Sequence, residues 1–570
     1  MRNLFAILLL QSIVIQLSGQ ADVAFHPPIG IPMVLSGNFG EIRSDHFHSG
    51  IDIKTNGTIG HPIFSIEEGY VSRIKVQANG YGKSIYIDHP SGHTSVYGHL
   101  DGYREDIAEF VRSAQYKRRS HTLDLYLKPG QIPIEKGALI AYSGNTGGSS
   151  GPHLHFEIRT SGNQHPTNVL KYGFDIRDQV SPRFHTLTLF PAGAESAVNG
   201  KSEKQTVRIV RDQGIYTVPY GTTLRASGKV GIGVEVFDYL NGASNRCGVY
   251  ALTMLVDGQE VYSLTMDEFA FSETRYINAH IDYGARISLN KKIRRLHRLP
   301  NDRLRIYGKL KEDGWITVTD DHTHQVKVIA MDVAGNSSTL EFQISGVTGA
   351  SPEQGTASGG ERTMRWDESN SFRTEEVEVD LPARALYDDI RFGFSKTPGA
   401  EGMLSDLYQI HHAETPLHLT YNLAITYTPP DPEWRDKLLL VTYNEDDELE
   451  EAGGAYDNGA VVATPRSFGP FAVAIDTVPP EIIPLRKIDQ ETISGAADIR
   501  FTIRDNLSGI EDYEGYLDNQ WVLFEYDPKN DLLFYTFDRD RIEPDRMHEL
   551  ELYVTDAKGN VNLYHTTFTW

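Results

Sequence analysis

A chain of 570 residues exceeds what one hydrophobic core can organise and calls for three to five domains of roughly 100–200 residues each. Its 54 lysines and arginines against 77 aspartates and glutamates leave a formal net charge of −23, which argues against nucleic-acid binding and against electrostatic docking on anionic lipid. Its single cysteine, Cys247, excludes an intrachain disulfide, a cysteine-rich zinc site and a lipid-anchored cysteine after the leader.

The first element in chain order is a leader. Arg2 supplies a positive start, Leu4 to Leu17 is mostly apolar, and Ser18-Gly19-Gln20-Ala21 offers small residues for cleavage. This pattern predicts a signal peptide over residues 1–20, because the apolar run is shorter than the ~20 residues a membrane span needs. No later run of 18 apolar residues follows, so a soluble, exported mature protein is expected. Export without disulfides fits a bacterial periplasm or cell surface.

The remainder reads as mainly β. Residues 22–176 alternate like short strands between glycine turns, as in Gly69–Val76 and Ser84–Asp88. A helical, basic insertion at 101–128 interrupts them. As a long excursion beside a candidate site, it is expected to wall one side of a substrate groove. Residues 178–346 and 477–570 each carry an Asp-x-x-Gly-Asn turn before a last strand (Asp332 to Asn336, Asp556 to Asn560), which suggests two copies of one β-sandwich module. These modules resemble bacterial immunoglobulin-like (Ig-like) domains. Residues 347–362 read as a linker and 363–476 as a further β-rich domain, so about three β-sandwich modules follow the first domain. Glu445 to Glu451 is acidic at six of seven positions and reads as a solvated loop, with a calcium loop as the alternative.

The chemistry concentrates in His48-Ser49-Gly50-Ile51-Asp52, Tyr97-Gly98-His99-Leu100 and Gly151-Pro152-His153-Leu154-His155-Phe156-Glu157. Imidazole nitrogen and carboxylate oxygen are both zinc ligands, and three protein ligands leave a fourth position for water. His153 and His155 are two apart on a strand and share a face, while Leu154 and Phe156 point into a core. A turn at Gly50 allows His48 and Asp52 to converge. His46 is a rival ligand by spacing. His322-Thr323-His324 has the same H-x-H spacing but follows Asp320-Asp321 and reads as a surface turn, and His411-His412 and His548-Glu549 stand isolated. Asn38 and Tyr97 are read as either cleft-lining or packing.

Six spaced motifs occur in order: Ser36-Gly37-Asn38-Phe39-Gly40, His48 to Asp52, Gly80-Tyr81-Gly82, Thr94 to Leu100, Gly144-Asn145-Thr146-Gly147 and Gly151 to Glu157. Together, over about residues 30–170, they resemble the lysostaphin/LytM-type zinc metallopeptidases, the peptidoglycan endopeptidases of peptidase family M23. The resemblance implies a LytM-like β-sheet peptidase domain, Zn2+ as cofactor, His48, Asp52 and His155 as metal ligands, and His99 and His153 as catalytic residues. Glu157 is read as a partner of the ligands and not as a ligand. The resemblance further implies peptidoglycan peptides as substrate, with the β modules open to an envelope protein partner. The alternative is a non-hydrolytic envelope scaffold or amidase regulator.

Overall fold

The computed structural model of the protein describes residues 25–193, 195–347, 362–444, 446–493 and 495–570. The expected leader at 1–20 and nearly all of the linker at 347–362 lie outside the described residues. Strands hold 46% of the chain and helices 9%, so the fold class is mainly β. Among the described residues no helix is long and apolar enough to cross a membrane.

The first unit contains β1 (Leu35–Gly37), β2 (Ile51–Lys54), β3 (Pro62–Phe64), β4 (Gly69–Val76), β5 (Lys83–Asp88), β6 (His93–Tyr103), α1 (Glu105–Arg118), β7 (Leu123–Tyr126), β8 (Pro133–Ile134), β9 (Leu139–Ser143), β10 (His153–Thr160) and β11 (Pro166–Thr167). The sheet runs β1-β2-β10-β6-β5-β4-β7, with β9 joined to β6 and β3. Period-two alternation sorts the central strands by face. Ile51, Ile53, Leu154 and Phe156 are fully buried in the core. Their neighbours Asp52, His153 and His155 take the opposite face. Antiparallel register then sets Gly37, Asp52, His155 and Gly98 in one row across β1, β2, β10 and β6.

The bend before β2 depends on Gly50. A Cβ there would stand 2.2 Å from the Phe156 carbonyl oxygen and 2.8 Å from Glu157 Cγ. The nearest obstacle is strand backbone, which cannot rotate away. Gly50→Ala is therefore expected to cost at least the ~1–3 kcal/mol typical of overpacking and to displace His48 from Asp52. Urea unfolding midpoints of the two proteins check the first effect, and zinc content the second.

The insertion departs from its expected place. Helix α1 begins with Glu105 and Asp106 and ends with Lys117 and Arg118, charges that suit the helix dipole, and it buries Ile107 and Val111. No residue of 101–128 lines the groove described below. The insertion instead meets the last unit of the chain. Tyr116 packs edge-on against Trp521 and beneath the Arg541 guanidinium, and His121 sits between the Phe524 and Tyr513 carbonyls. Aromatic area and two carbonyl acceptors satisfy it there.

Residues 178–346 form a thirteen-stranded sheet system with helices Ile277–His280 and Tyr283–Leu289, larger than a plain sandwich. This second unit is fused to the first. Leu240 and Cys247 enter the first core, and Phe39, Ile42 and Phe47 enter the second. Residues 362–476 place two five-stranded sheets around one core, and residues 477–570 place two four-stranded sheets around another.

Candidate metal centre

Three ligand atoms from β2, β10 and the preceding bend meet at one point. His48 Nε2 lies 3.0 Å from Asp52 Oδ1, His155 Nδ1 lies 3.0 Å from the same oxygen, and the two nitrogens are 3.1 Å apart. All three side chains are buried. His153 Nε2 approaches Asp52 Oδ1 at 3.5 Å, and the His99 ring centroid is 4.7 Å from that of His153. His46 stays outside this cluster, paired with Asp45 at the rim. His322 and His324 lie far along the chain beside Asp320, and His548 is held by Asp518 and the Glu543 carbonyl.

The hydrogen bonds set the tautomers. His48 Nδ1–H donates to Asn38 O at 2.8 Å, so Nε2 presents its lone pair to the cluster. His155 Nε2–H donates to Glu157 Oε1 at 2.8 Å, so Nδ1 does the same. His99 Nδ1–H donates to Thr146 O and His153 Nδ1–H to Gly151 O, both at 2.8 Å, leaving each Nε2 open. The result is a buried point faced by lone pairs, which a dication satisfies and neutral water does not. Two imidazole nitrogens and one carboxylate oxygen suit zinc, with room for a further ligand.

Second partners hold the ligands. Glu157, fully buried, accepts from Ser49 Oγ at 2.6 Å, Tyr81 OH at 2.5 Å and Arg159 Nε at 2.6 Å in addition to His155. Arg43 Nη2 donates to Asp52 Oδ2 at 2.7 Å. Burial opposes charge on Asp52, yet His48, His153 and His155 hold its carboxyl well below the usual range. Burial also opposes the His155 imidazolium, but Asp52 and Glu157 outweigh it and push its pKa up to about 9. A proton on His155 and a bound dication are thus alternative ways to balance the same two carboxylates. Burial, with His155 and His153 nearby, pushes His99 down to about 3 and keeps it neutral.

His99 has a feature its sequence context hides. Its φ is +58°, in the left-handed region, and the pairing of β6 with β5 slips across it, between Tyr97 and Leu100, while the pairing with β9 slips just after it. Such backbone costs of order 1–3 kcal/mol and persists only where the surroundings enforce it. Here Tyr81 O takes the His99 N–H and Thr146 O takes the ring.

The centre opens into a groove of about 980 Å³. Asn56, Tyr81 and Ser150 line it from the first unit, and Arg246 and Phe271 from the second. Asn38 does not line it. Its side chain exchanges hydrogen bonds with Gly248 N and O at 2.7 and 2.8 Å, which ties the second unit to the carbonyl that orients His48. Tyr97 is a core residue whose hydroxyl accepts from Ile66 N. Arg43, Tyr81 and Arg159 escaped assignment from sequence. Arg159 follows Glu157 by two on one strand face, a spacing that signals the pair.

Comparison with known proteins bears on the same segment. The profile described as Peptidase family M23 matches residues 46–116 and 113–168, and a Zu5-like domain profile matches residues 361–476. An uncharacterized metalloprotease of Haemophilus influenzae is 33% identical over 123 residues, covering 22% of this chain and 20% of that protein. The peptidoglycan DD-endopeptidase ShyB of Vibrio cholerae is 30% identical over 135 residues, 24% of this chain and 25% of ShyB. The chain thus spans about a fifth to a quarter of the length of these relatives. Among solved structures, the catalytic domain of the prophage-encoded M23 protein EnpA from Enterococcus faecalis is 27% identical, covering 26% of this chain and 98% of that one, at a TM-score of 0.20. The matched profile over residues 46–116 and 113–168 shows that the chain carries a peptidase family M23 domain.

Proposed function

We propose that this chain is an exported zinc metalloendopeptidase that hydrolyses peptide bonds in peptidoglycan cross-links. The observation that carries the proposal is the meeting of His48 Nε2, Asp52 Oδ1 and His155 Nδ1 within 3.1 Å, lone pairs inward, beside the open Nε2 atoms of His99 and His153. The likeness to ShyB, a peptidoglycan DD-endopeptidase, supports the substrate class. The leader at 1–20 supports export.

His48, Asp52 and His155 hold the zinc ion in this reading. Zinc at that point supplies Lewis acidity, polarising a peptide carbonyl and making water acidic enough to act as nucleophile near neutral pH. His99 and His153 divide two tasks. One open Nε2 accepts the proton of the attacking water, and the other imidazole, once protonated, donates to the oxyanion that forms on the scissile carbonyl. Their Nδ1 bonds to Thr146 O and Gly151 O keep both rings aimed inward through the cycle. The groove holds the peptide in an extended path past these four rings.

The test is digestion of purified bacterial wall by the full chain and by His99→Ala, with mass spectrometry of the released fragments. Chelator-sensitive release of cross-link peptides, reduced at least ~100-fold in the variant, is expected. Binding to wall with no fragments from either protein would favour the scaffold alternative instead.

A further inference from the structure

Two carboxylate clusters, each with two buried members and one half-buried, lie away from the M23 centre, one in each module that carries an Asp-x-x-Gly-Asn turn before its last strand. Asp178, Asp238 and Asp332 form the first, and Asp476, Asp505 and Asp556 the second. In each cluster one oxygen from every residue lies within 4.8 Å of the others. That is the widest separation two oxygens can have across one ion at about 2.4 Å, a calcium–oxygen distance.

The clusters share a sequence frame. Asp178-Gln-Val-Ser-Pro182 matches Asp476-Thr-Val-Pro-Pro480, Asp238-Tyr-Leu-Asn-Gly242 matches Asp505-Asn-Leu-Ser-Gly509, and Asp332 to Asn336 matches Asp556 to Asn560. They share hydrogen bonds too. Asn336 N and Nδ2 donate to Asp332 Oδ1 and Oδ2, both at 2.8 Å, and Asn560 does the same to Asp556 at 2.8 and 2.6 Å. Val180 N donates to Asp178 as Val478 N donates to Asp476. Three acidic positions are thus kept in register in two modules whose other residues differ widely.

A second, independent observation points to a ligand. Asp238 is 1% exposed, and its Oδ1 has no hydrogen-bond partner. Asp505 Oδ1 is likewise unpartnered, as is the Oγ of Ser508, a residue 2% exposed whose N–H donates to Asp476 Oδ2. Among the described residues no lysine or arginine lies within ion-pair distance of any of the six carboxylates, and Lys558, the cation beside the second cluster, donates instead to the Gly454 carbonyl. An unpaired buried charge is costly, and setting two buried carboxylates beside a half-buried third adds to that cost.

We propose that each cluster binds one calcium ion, so that the chain carries two structural calcium sites besides its zinc centre. The donors are all oxygen, which suits a hard cation and not zinc or copper. The first ion would fasten together the segment leaving the M23 domain, the last hairpin of the second unit and the root of the loop 238–248. That loop carries Arg246 into the groove and Gly248 onto Asn38. The second ion would fasten the end of the 362–476 unit, at Asp476, to the unit that packs on the insertion.

The test uses the full chain, stripped with chelator and dialysed. Equilibrium dialysis with radiolabelled calcium is expected to give two ions bound per chain. Asp238→Asn and Asp505→Asn should each lose one, and the double variant both. Calcium should raise the thermal midpoint of the wild type and raise it less in each variant. Far-UV circular dichroism verifies that the variants fold, and Asp178→Asn, at a half-buried position, replaces Asp238→Asn if that chain does not. No calcium bound by the wild type at millimolar concentration, or an unchanged stoichiometry in the folded double variant, overturns the proposal.

Discussion

Asp52→Ala is expected to abolish zinc binding and wall digestion together. Asp52 Oδ1 is the single atom approached by His48, His153 and His155, and Oδ2 anchors Arg43. The substitution removes the only anionic ligand and leaves the Arg43 guanidinium with Glu41 at 3.5 Å as its remaining carboxylate. Losing even an outer partner of a ligand costs about 10–100-fold in metal affinity, so losing a ligand should exceed that. The expected readouts are zinc content falling from about one per chain to background after dialysis, and released fragments falling to the level of a no-enzyme control. An Asp52→Ala chain that retains both zinc and cleavage would show that the centre lies elsewhere. The carboxylate's buried neighbours predict some loss of stability as well, so unfolding midpoints must accompany the assay.

Much of this centre was legible because the signals were local. His153 and His155 share a face by strand periodicity, and His48 and Asp52 are joined by a glycine bend. What escaped depends on long-range packing. Asn38 and Gly248 are 210 residues apart, and nothing near either one announces their two hydrogen bonds. From sequence the insertion is expected to wall one side of the groove, because long excursions often serve active sites. Its Tyr116 and His121 instead answer to aromatic and carbonyl partners some 400 residues away. The left-handed φ of His99 is invisible in sequence, because histidine carries no mark of the conformation that Tyr81 and Thr146 impose. The Asp-x-x-Gly-Asn turns were legible as a repeat. That Asp178 and Asp238 converge on the first of them, and Asp476 and Asp505 on the second, required the fold.

Glu157→Gln should separate the support of the centre from its ligands. The side chain keeps its shape but loses the charge that compensates Arg159, which is itself buried between Glu157 and Tyr81. Breaking a buried pair on one side typically costs 3–5 kcal/mol, of which ~3 is expected here because the amide can still accept one bond. His155 Nε2–H simultaneously loses a carboxylate acceptor, and zinc affinity should fall about 10–100-fold. The two effects are separated by measuring urea unfolding with chelator present and zinc competition without it. The pH dependence has a fixed sign. Burial raises the Glu157 pKa, but Arg159 and His155 outweigh it and hold it below the ordinary carboxylate value. A depressed folded-state pKa gives stability that is present above the unfolded value of about 4.3 and lost as pH falls through the folded one. The part of the stability gap between wild type and Glu157→Gln that comes from the Glu157–Arg159 pair should therefore be present at pH 7 and narrow in acid below about pH 4. The part that comes through His155, whose pKa Glu157 helps push up to about 9, is lost as pH rises toward that value. A gap that instead closes between pH 6 and 8 would mean that histidine titration, and not the Glu157–Arg159 pair, controls this layer. Arg159→Met in the Glu157→Gln background should recover part of the lost stability without restoring zinc affinity, because it removes the unpaired guanidinium but leaves His155 without its carboxylate.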